Sequence, residues 1–291
     1  MEIIPTREFC FEKTIKSGQP INFTARFYDK TRIAFAGDNG HVSIEYQGDV
    51  KKGSIKIEAE KRVGTKVKEE VARRLGLSDN MIYIYKKIDT DNFMHKVIKT
   101  SRGLRITWSE PWEAMVSFIL SQHNNIRNIR NSVQNIIEKF GESVDNSDIK
   151  KFPTIDAIAE AKIEEIKSCK TGFRAAYLKD AAIYCRDNIK LDKLYGMNYS
   201  KAKERLMEIK GIGDKVADCI LLMGYKKTEA FPIDIWVKRT LEEAYFGNEK
   251  KEIKSLHEFA EDKWGKYRGY AQAYIFYYSI TKMKNNKNSK G

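Results

Sequence analysis

The spacing of apolar and polar positions changes period along the chain, and the change predicts two kinds of structure. Residues 8 to about 60 read as strands: the stretch FTARFYDKTRIAFAGDNGHVSIEYQG alternates apolar with polar side chains, and Asp38-Asn39-Gly40 offers the positive-φ residues of a hairpin turn. A twisted antiparallel sheet is expected there. Val67 to Leu75 has helical spacing, MIYIYKKI at 81–88 fits a strand or a short helix, and Asp91 to Thr100 reads as a helix. From Pro111 onward WEAMVSFILSQ, NIRNIRNSVQNIIEKFG, TIDAIAEAKIEEIKSC, AAYLKDAAIYCRDNI, SKAKERLMEIKG and KVADCILLMG all repeat apolar residues at i, i+3 and i+4. The pattern predicts an α+β protein: a small N-terminal antiparallel sheet domain with helices (1–105) packed on a larger all-helical domain (106–282). The closing KMKNNKNSKG is basic and aperiodic, so residues 283–291 are expected to be a disordered tail.

Composition narrows the class. Of 291 residues, 42% are hydrophobic and 11% aromatic, enough to close a core and too many for a chain disordered over most of its length. No window reaches the roughly 20 apolar residues of a membrane span, and MEIIPTREFCFEK has neither a basic n-region nor an apolar h-region. A soluble, cytoplasmic protein without a membrane partner is expected. The four cysteines (Cys10, Cys169, Cys185, Cys219) are scattered and form no CxxC, so neither a zinc ribbon nor a cysteine-ligated iron–sulfur cluster is encoded. The 53 Lys and Arg outnumber the 40 Asp and Glu by 13. Such an excess suits a polyanionic partner, nucleic acid first, although an ordinary basic surface would show the same charge.

The residues that carry chemistry lie between 203 and 241. Leu206 and Ile209 end one helix, Gly211-Ile212-Gly213 turns the chain, and Asp214 is placed to N-cap a second helix over Lys215–Met223, closed by Gly224. This is a helix–hairpin–helix. Its glycines let backbone N–H groups approach an anion such as a phosphate, although a bare GxG equally fits a tight αα-turn. Lys215 falls in the first turn of the second helix, where the positive end of the helix dipole favours a neutral, nucleophilic amine. Nineteen residues later Asp234 follows Phe231-Pro232-Ile233 and precedes the amphipathic IWVKRTLEEA, so it can cap that helix and face a cationic reaction centre. Singly these are a solvated lysine and a plain cap. Together with the hairpin they point to a nucleophile and its electrostatic partner.

The hairpin with Lys215, the Gly/Pro loop and Asp234 resembles the helix–hairpin–helix Gly/Pro-Asp superfamily of base-excision DNA glycosylases. In detail the chain is similar to the 8-oxoguanine DNA glycosylase/lyase family, through GDKVADCILLMG, through GYAQAYIF at 269–276 and through TGFRAAY at 171–177. The resemblance covers nearly the whole chain and is strongest from about 108 to 280. Superfamily members with a four-cysteine iron–sulfur loop are excluded because no cysteine follows Cys219. Alkyladenine-type members share both domains but lack a lysine in the hairpin.

The resemblance implies a bifunctional enzyme acting on double-stranded DNA that contains oxidised guanine, working as a monomer at the nucleoid without metal or organic cofactor. Lys215 would attack C1′ of a flipped nucleotide, expel the base and form a Schiff base that nicks the strand by β-elimination; Asp234 would stabilise the oxocarbenium-like transition state. Phe276 and Cys219 would cover the two faces of the base and Gln272 would bond its Watson–Crick edge. Gly18 would read the oxidised position through its carbonyl, in Ser17-Gly18-Gln19, although Pro20-Ile21-Asn22-Phe23 departs from the family's Phe-Arg-Trp type of continuation. Gly211 and Gly213 would hold phosphate. On the opposite strand the resemblance implies His123, Asn124 and Asn125, with Asn128 in place of an arginine, and Arg174 on the orphaned cytosine beside Phe173 as the wedge. Trp236 stands where relatives place a phosphate-binding histidine. Two readings compete: excision of another damaged purine, such as an alkylated base, and a non-catalytic DNA-binding module.

Overall fold

The computed structural model describes residues 2–37, 40–59, 63–144 and 147–288, with side chains to residue 283. Among them the chain runs β1 (Glu2–Thr6), α1 (Phe11–Ile15), α2 (Pro20–Thr24), β2 (Arg26–Phe27), β3 (Arg32–Gly37), β4 (Gly40–Gly48) and β5 (Gly53–Ala59). Ten helices follow up to the hairpin region and beyond it: α3 (Thr65–Arg74), α4 (Met81–Ile88), α5 (Asn92–Ser101), α6 (Pro111–Ser121), α7 (Ile126–Phe140), α8 (Ile155–Glu160), α9 (Ile163–Ile166), α10 (Arg174–Asn188), α11 (Tyr199–Met207) and α12 (Asp214–Gly224). The last three are α13 (Ile235–Tyr245), α14 (Ile253–Trp264) and α15 (Arg268–Asn288).

The strands form one antiparallel sheet in the order β1-β5-β4-β3-β2. Its register sets Ile33 opposite Ile44 and Ile44 opposite Ile57, so the alternating apolar positions fall on one buried face. The sheet is as the alternation predicts, with one correction. Residues 11–15 and 20–24 are short helices rather than strand: Phe11, Thr14 and Ile15 bury one helical face, and Pro20 starts α2 at a position where its missing N–H costs nothing. Asp38 and Asn39 of the expected turn lie outside the described residues, while Gly40 has φ +109°. MIYIYKKI is a helix because Asn80 caps it, accepting from the Tyr83 N–H at 3.1 Å, and because Met81, Ile84, Tyr85 and Ile88 fall on one buried face.

Two apolar cores result. One joins the sheet to α1 and α3 and ends at Leu75; the other begins at Met81 and takes in the helices up to Tyr278, with Phe23 reaching into it from α2. The cores therefore part well before residue 105, and α4 and α5 pack into the larger one. The frayed segment expected from residue 283 is helical in its backbone to Asn288. No helix among the described residues is long and apolar enough to cross a membrane.

Polar ties join the two parts. Gln19 donates to the Arg105 carbonyl (2.8 Å) and accepts from the Thr107 N–H (2.7 Å), which fixes the loop containing Gly18. The buried Arg105 guanidinium donates to the carbonyls of Arg7, Glu8, Gly76 and Asp79. Arg74, on α3, bonds Glu70 on its own helix and Glu113 on α6 at 3.1 Å each, and all three side chains are under 10% exposed. Removing one member of a buried ionic group leaves charge without compensation. Arg74→Met is therefore expected to lower stability by about 3–5 kcal/mol in denaturant titration. A loss below about 1 kcal/mol would show that this tie is immaterial.

Candidate active site

The hairpin is built around Gly211. Its φ is +89°, and a Cβ there would lie 2.5 Å from Cγ of Tyr177 on α10, so both conformation and space demand glycine. Gly213 has a different reason: its backbone is extended, it is the N-cap of α12, and an added Cβ would meet nothing within 4 Å. Gly213 is exposed, and the first N–H groups of α12 have no carbonyl of their own helix to bond.

Asp214 is not the cap that the sequence suggested. It is the first residue of α12, and its carboxylate is drawn instead to His257 of α14 (3.1 Å) and Lys203 of α11 (2.7 Å). One turn on, the fully buried Asp218 accepts from Tyr199 (2.6 Å) and Lys203 (3.0 Å). This network clamps α11, α12 and α14 together, and the hydrogen bond from His257 followed by Lys203 holds the Asp214 carboxyl well below the usual carboxylate range. Asp214, Asp218 and His257 bring ligand-type atoms within 4.8 Å of one another, but the Lys203 ammonium already compensates both carboxylates.

Lys215 is the second residue of α12. Its Nζ lies 3.5 Å from Ser121 Oγ and 5.6 Å from the Phe118 ring centre, both on α6. Asp234 caps α13, its Oδ1 accepting from the N–H groups of Trp236 (3.0 Å) and Val237 (2.8 Å). Burial pushes its carboxyl above the ordinary range, while the cap bonds and the Lys215 charge oppose that rise. Gly18, Lys215, Cys219, Asp234, Gln272 and Phe276 border one cavity of about 830 Å³. Helical spacing explains two of the pairings: Lys215 with Cys219 on α12 and Gln272 with Phe276 on α15 are each four residues apart and share a face. Gly18, at φ +78°, would place a Cβ 3.2 Å from Ile126 Cδ1 and 3.9 Å from Phe276 Cε1. Burial pushes the Cys219 thiol up to about 11, so it is neutral at ordinary pH. Gln272 donates to the Pro232 carbonyl at 2.9 Å, and its buried Oε1 has no partner among the described residues.

Asn124, Asn125 and Trp236 also line the cavity. The asparagines serve their own turn: Asn124 donates to the Leu120 carbonyl and accepts from the Asn125 N–H, and Asn125 caps α7 through the Asn128 N–H at 2.9 Å. His123, Phe173, Arg174, Gly211 and Gly213 are not among the lining residues. His123 is exposed at φ +47° and Phe173 is 55% exposed. Arg174 is buried, donating to the carbonyls of Gln122 (2.6 Å), His123 (2.9 Å) and Thr171 (3.3 Å). Sequence reasoning missed Phe118, Ser121, Asn22 and Arg130 in the wall. Only Asn22 had a signal, its place in the stretch that departs from the family pattern.

Fold and site together define a helix–hairpin–helix protein in which an amine and a carboxylate, each at a helix N-terminus, meet one cavity. A sequence model of the HhH-GPD superfamily of base-excision DNA repair proteins matches residues 116–266, and the chain belongs to that superfamily. It is 26% identical to a probable N-glycosylase/DNA lyase of Methanothermobacter thermautotrophicus over 94% of each chain. Among solved structures, it is similar to the 8-oxoguanine glycosylase/lyase of Clostridium acetobutylicum in complex with double-stranded DNA containing cytosine opposite 8-oxoguanine. That likeness has a TM-score of 0.84, 27% identity and coverage of 98% of this chain and 99% of the other. MBOgg1 in complex with a low-affinity DNA ligand is similar at TM-score 0.85 and 28% identity, over 96% of each chain.

The hairpin itself is testable without any activity. Gly211→Ala forces a Cβ into Tyr177 and strains a positive-φ residue, for an expected loss of about 1–3 kcal/mol in thermal or chemical unfolding. Gly213→Ala should change stability by only a few tenths of a kcal/mol, or about 1 kcal/mol at most, since the added methyl meets open space. Equal losses at both positions would refute the separate reasons given for the two glycines.

Proposed function

We propose that this protein excises 8-oxoguanine from duplex DNA and nicks the strand at the abasic site it makes. The observation that carries the reading is one cavity bordered by both Lys215 and Asp234 and walled by Cys219, Gln272 and Phe276. Homologues named as N-glycosylase/DNA lyases and 8-oxoguanine glycosylase/lyases, similar over nearly the full chain, support it.

In this reading the nucleotide leaves the stack and its base enters the cavity. The Lys215 amine, having lost a proton, attacks C1′ as the bond from C1′ to the base nitrogen breaks, and the base departs with that electron pair. The ring opens to a Schiff base between C1′ and Nζ, loss of a C2′ proton follows, and the 3′ phosphate leaves by β-elimination. Asp234, ionised and fixed by two backbone N–H groups, faces the positive charge that develops at the sugar. Cys219 as a neutral thiol and Phe276 cover the faces of the purine, and Gln272 meets its edge. Gly18 presents its carbonyl to the N–H that oxidation creates. The hairpin backbone at Gly211 and Gly213 holds a phosphate, aided by an excess of thirteen positive charges. His123, Asn124, Asn125, Phe173 and Arg174 belong to the face that meets the opposite strand, and Trp236 lies beside the lesion strand. The protein works as a monomer in the compartment that holds the DNA.

Borohydride trapping on a duplex containing 8-oxoguanine tests the chemistry, because reduction freezes a Schiff base as a covalent adduct. Wild type should cross-link, and Lys215→Gln should lose cross-linking, base release and nicking while still binding DNA. Cross-linking by the variant at the wild-type level would remove Lys215 from the mechanism, and cross-linking by neither protein would favour a binding module.

The carboxylate gives a pH signature. Only ionised Asp234 stabilises the transition state, and burial raises its pKa, so single-turnover excision should fall on the acid side at a pH above the ordinary carboxylate value of about 4. Asp234→Asn keeps a good cap but should slow excision by about two orders of magnitude or more and make that acid limb one proton shallower, since the proton that the Lys215 amine must lose before attack acts in both proteins. An unchanged limb in the variant would assign it to another group.

A further inference from the structure

Asn22 sits in the wall of the cavity four residues after Gly18, where the sequence departs from its family's pattern, and it is 6% exposed. Its Nδ2 donates to the Ile15 carbonyl at 2.6 Å. That bond sets the amide, since the flipped orientation would press two carbonyl oxygens together at the same distance. The oxygen Oδ1 is then left buried with no partner among the described residues. Gln272 repeats the arrangement from α15: its NH₂ is tied to the Pro232 carbonyl and its Oε1 is buried and unpaired. Buried acceptors are nearly always paired, so two pinned amides with unpaired oxygens, on residues that both line one cavity, point to a ligand rich in donors. The same loop anchors Asn22 and Gly18: the Asn22 N–H donates to the Gln19 carbonyl (2.9 Å), and Gln19 is held by Arg105 and Thr107.

We infer that Asn22 is a second base-reading residue, whose Oδ1 joins Gln272 Oε1 in accepting hydrogen bonds from the base. This deepens the proposed excision of 8-oxoguanine and rests on it. A guanine-type edge carries adjacent donors, N1–H and the exocyclic amine, and suits two acceptors. An adenine-type edge presents an acceptor at N1 and sets oxygen against a lone pair. The two amides thereby select for oxidised guanine over oxidised adenine.

The test compares wild type with Asn22→Leu, close in size but without the acceptor, in single-turnover excision of 8-oxoguanine and of 8-oxoadenine. A preformed abasic duplex, which offers no base to read, serves as the third substrate. The variant should excise 8-oxoguanine about tenfold or more slowly than wild type, and this loss should exceed any loss in nicking the abasic duplex by a similar factor. Its preference for 8-oxoguanine over 8-oxoadenine should narrow by about tenfold. Parallel losses on lesion and abasic DNA, or an unaltered preference, would make Asn22 a structural residue and overturn the inference alone. A wild type that nicks abasic DNA yet leaves 8-oxoguanine in place would overturn the substrate reading, and this inference with it.

Discussion

A carboxylate drawn out of water stays charged only where donors face it, and the rest of the site depends on how Asp234 meets that condition. Two N–H groups at the start of α13 donate to it, and Lys215 adds opposite charge. Its position is set from behind by a buried loop. Phe231 stacks on Trp264 with centroids 5.9 Å apart, and the Gly269 N–H donates to the Thr228 carbonyl at 2.8 Å. A Cβ at Gly269 would lie 2.6–2.9 Å from Leu222 and from the carbonyls of Thr228 and Ala230, so α15 starts against this loop as closely as a backbone permits. Pro232 then supplies the carbonyl that holds Gln272. One short segment thus fixes both Asp234 and Gln272 in the lining of the cavity.

The N-terminal sheet has a related part. It contributes little to the helical core beyond Phe23, yet the loop after α1 supplies one wall of the cavity through Gly18 and Asn22. Such a loop would be loose on a sheet that could slide against the helices. Gln19 bonded to both sides of residues 105–107, Arg105 bonded to four carbonyls and Arg74 bonded across to Glu113 remove that freedom. The geometry of the pocket is therefore a property of the junction between the two cores.

What could be read from the sequence follows how local each signal is. Gly211, Lys215 and Asp234 lie within one short stretch and obey turn and cap rules that act over a few residues. The pairs Lys215 with Cys219 and Gln272 with Phe276 follow from helical spacing. The assignment of Asp214 as a cap failed because Lys203 and His257, from two other helices, draw its carboxylate away from the backbone, and no local rule carries that information. The helices α1 and α2 were lost inside a strand-like stretch because five residues give too few periods to tell 3.6 from 2. Ser121 has an ordinary sequence context and Asn22 only its place in a departing stretch, and an unpaired acceptor or a neighbour to the amine exists only after distant segments meet.

The opposite strand presents the sharpest contrast between pattern and structure. Arg174 is the arginine expected on the orphaned base, yet its guanidinium already bonds three carbonyls of its own chain and lies 4.4 Å over the Phe173 ring. Two of those carbonyls belong to Gln122 and His123, so the arginine holds the turn in which His123 has φ +47°. A strained turn of this kind persists only when its surroundings determine it. Giving up those bonds to reach a base would release the turn that also carries Asn124 and Asn125 into the cavity wall. The guanidinium has five donors, and those not committed to its own chain project in a direction already fixed. Any reading of the opposite base by Arg174 is thus made by a preorganised fork, with little entropy left to lose, rather than by a mobile side chain. Phe173 is exposed beside it, with the guanidinium over its ring.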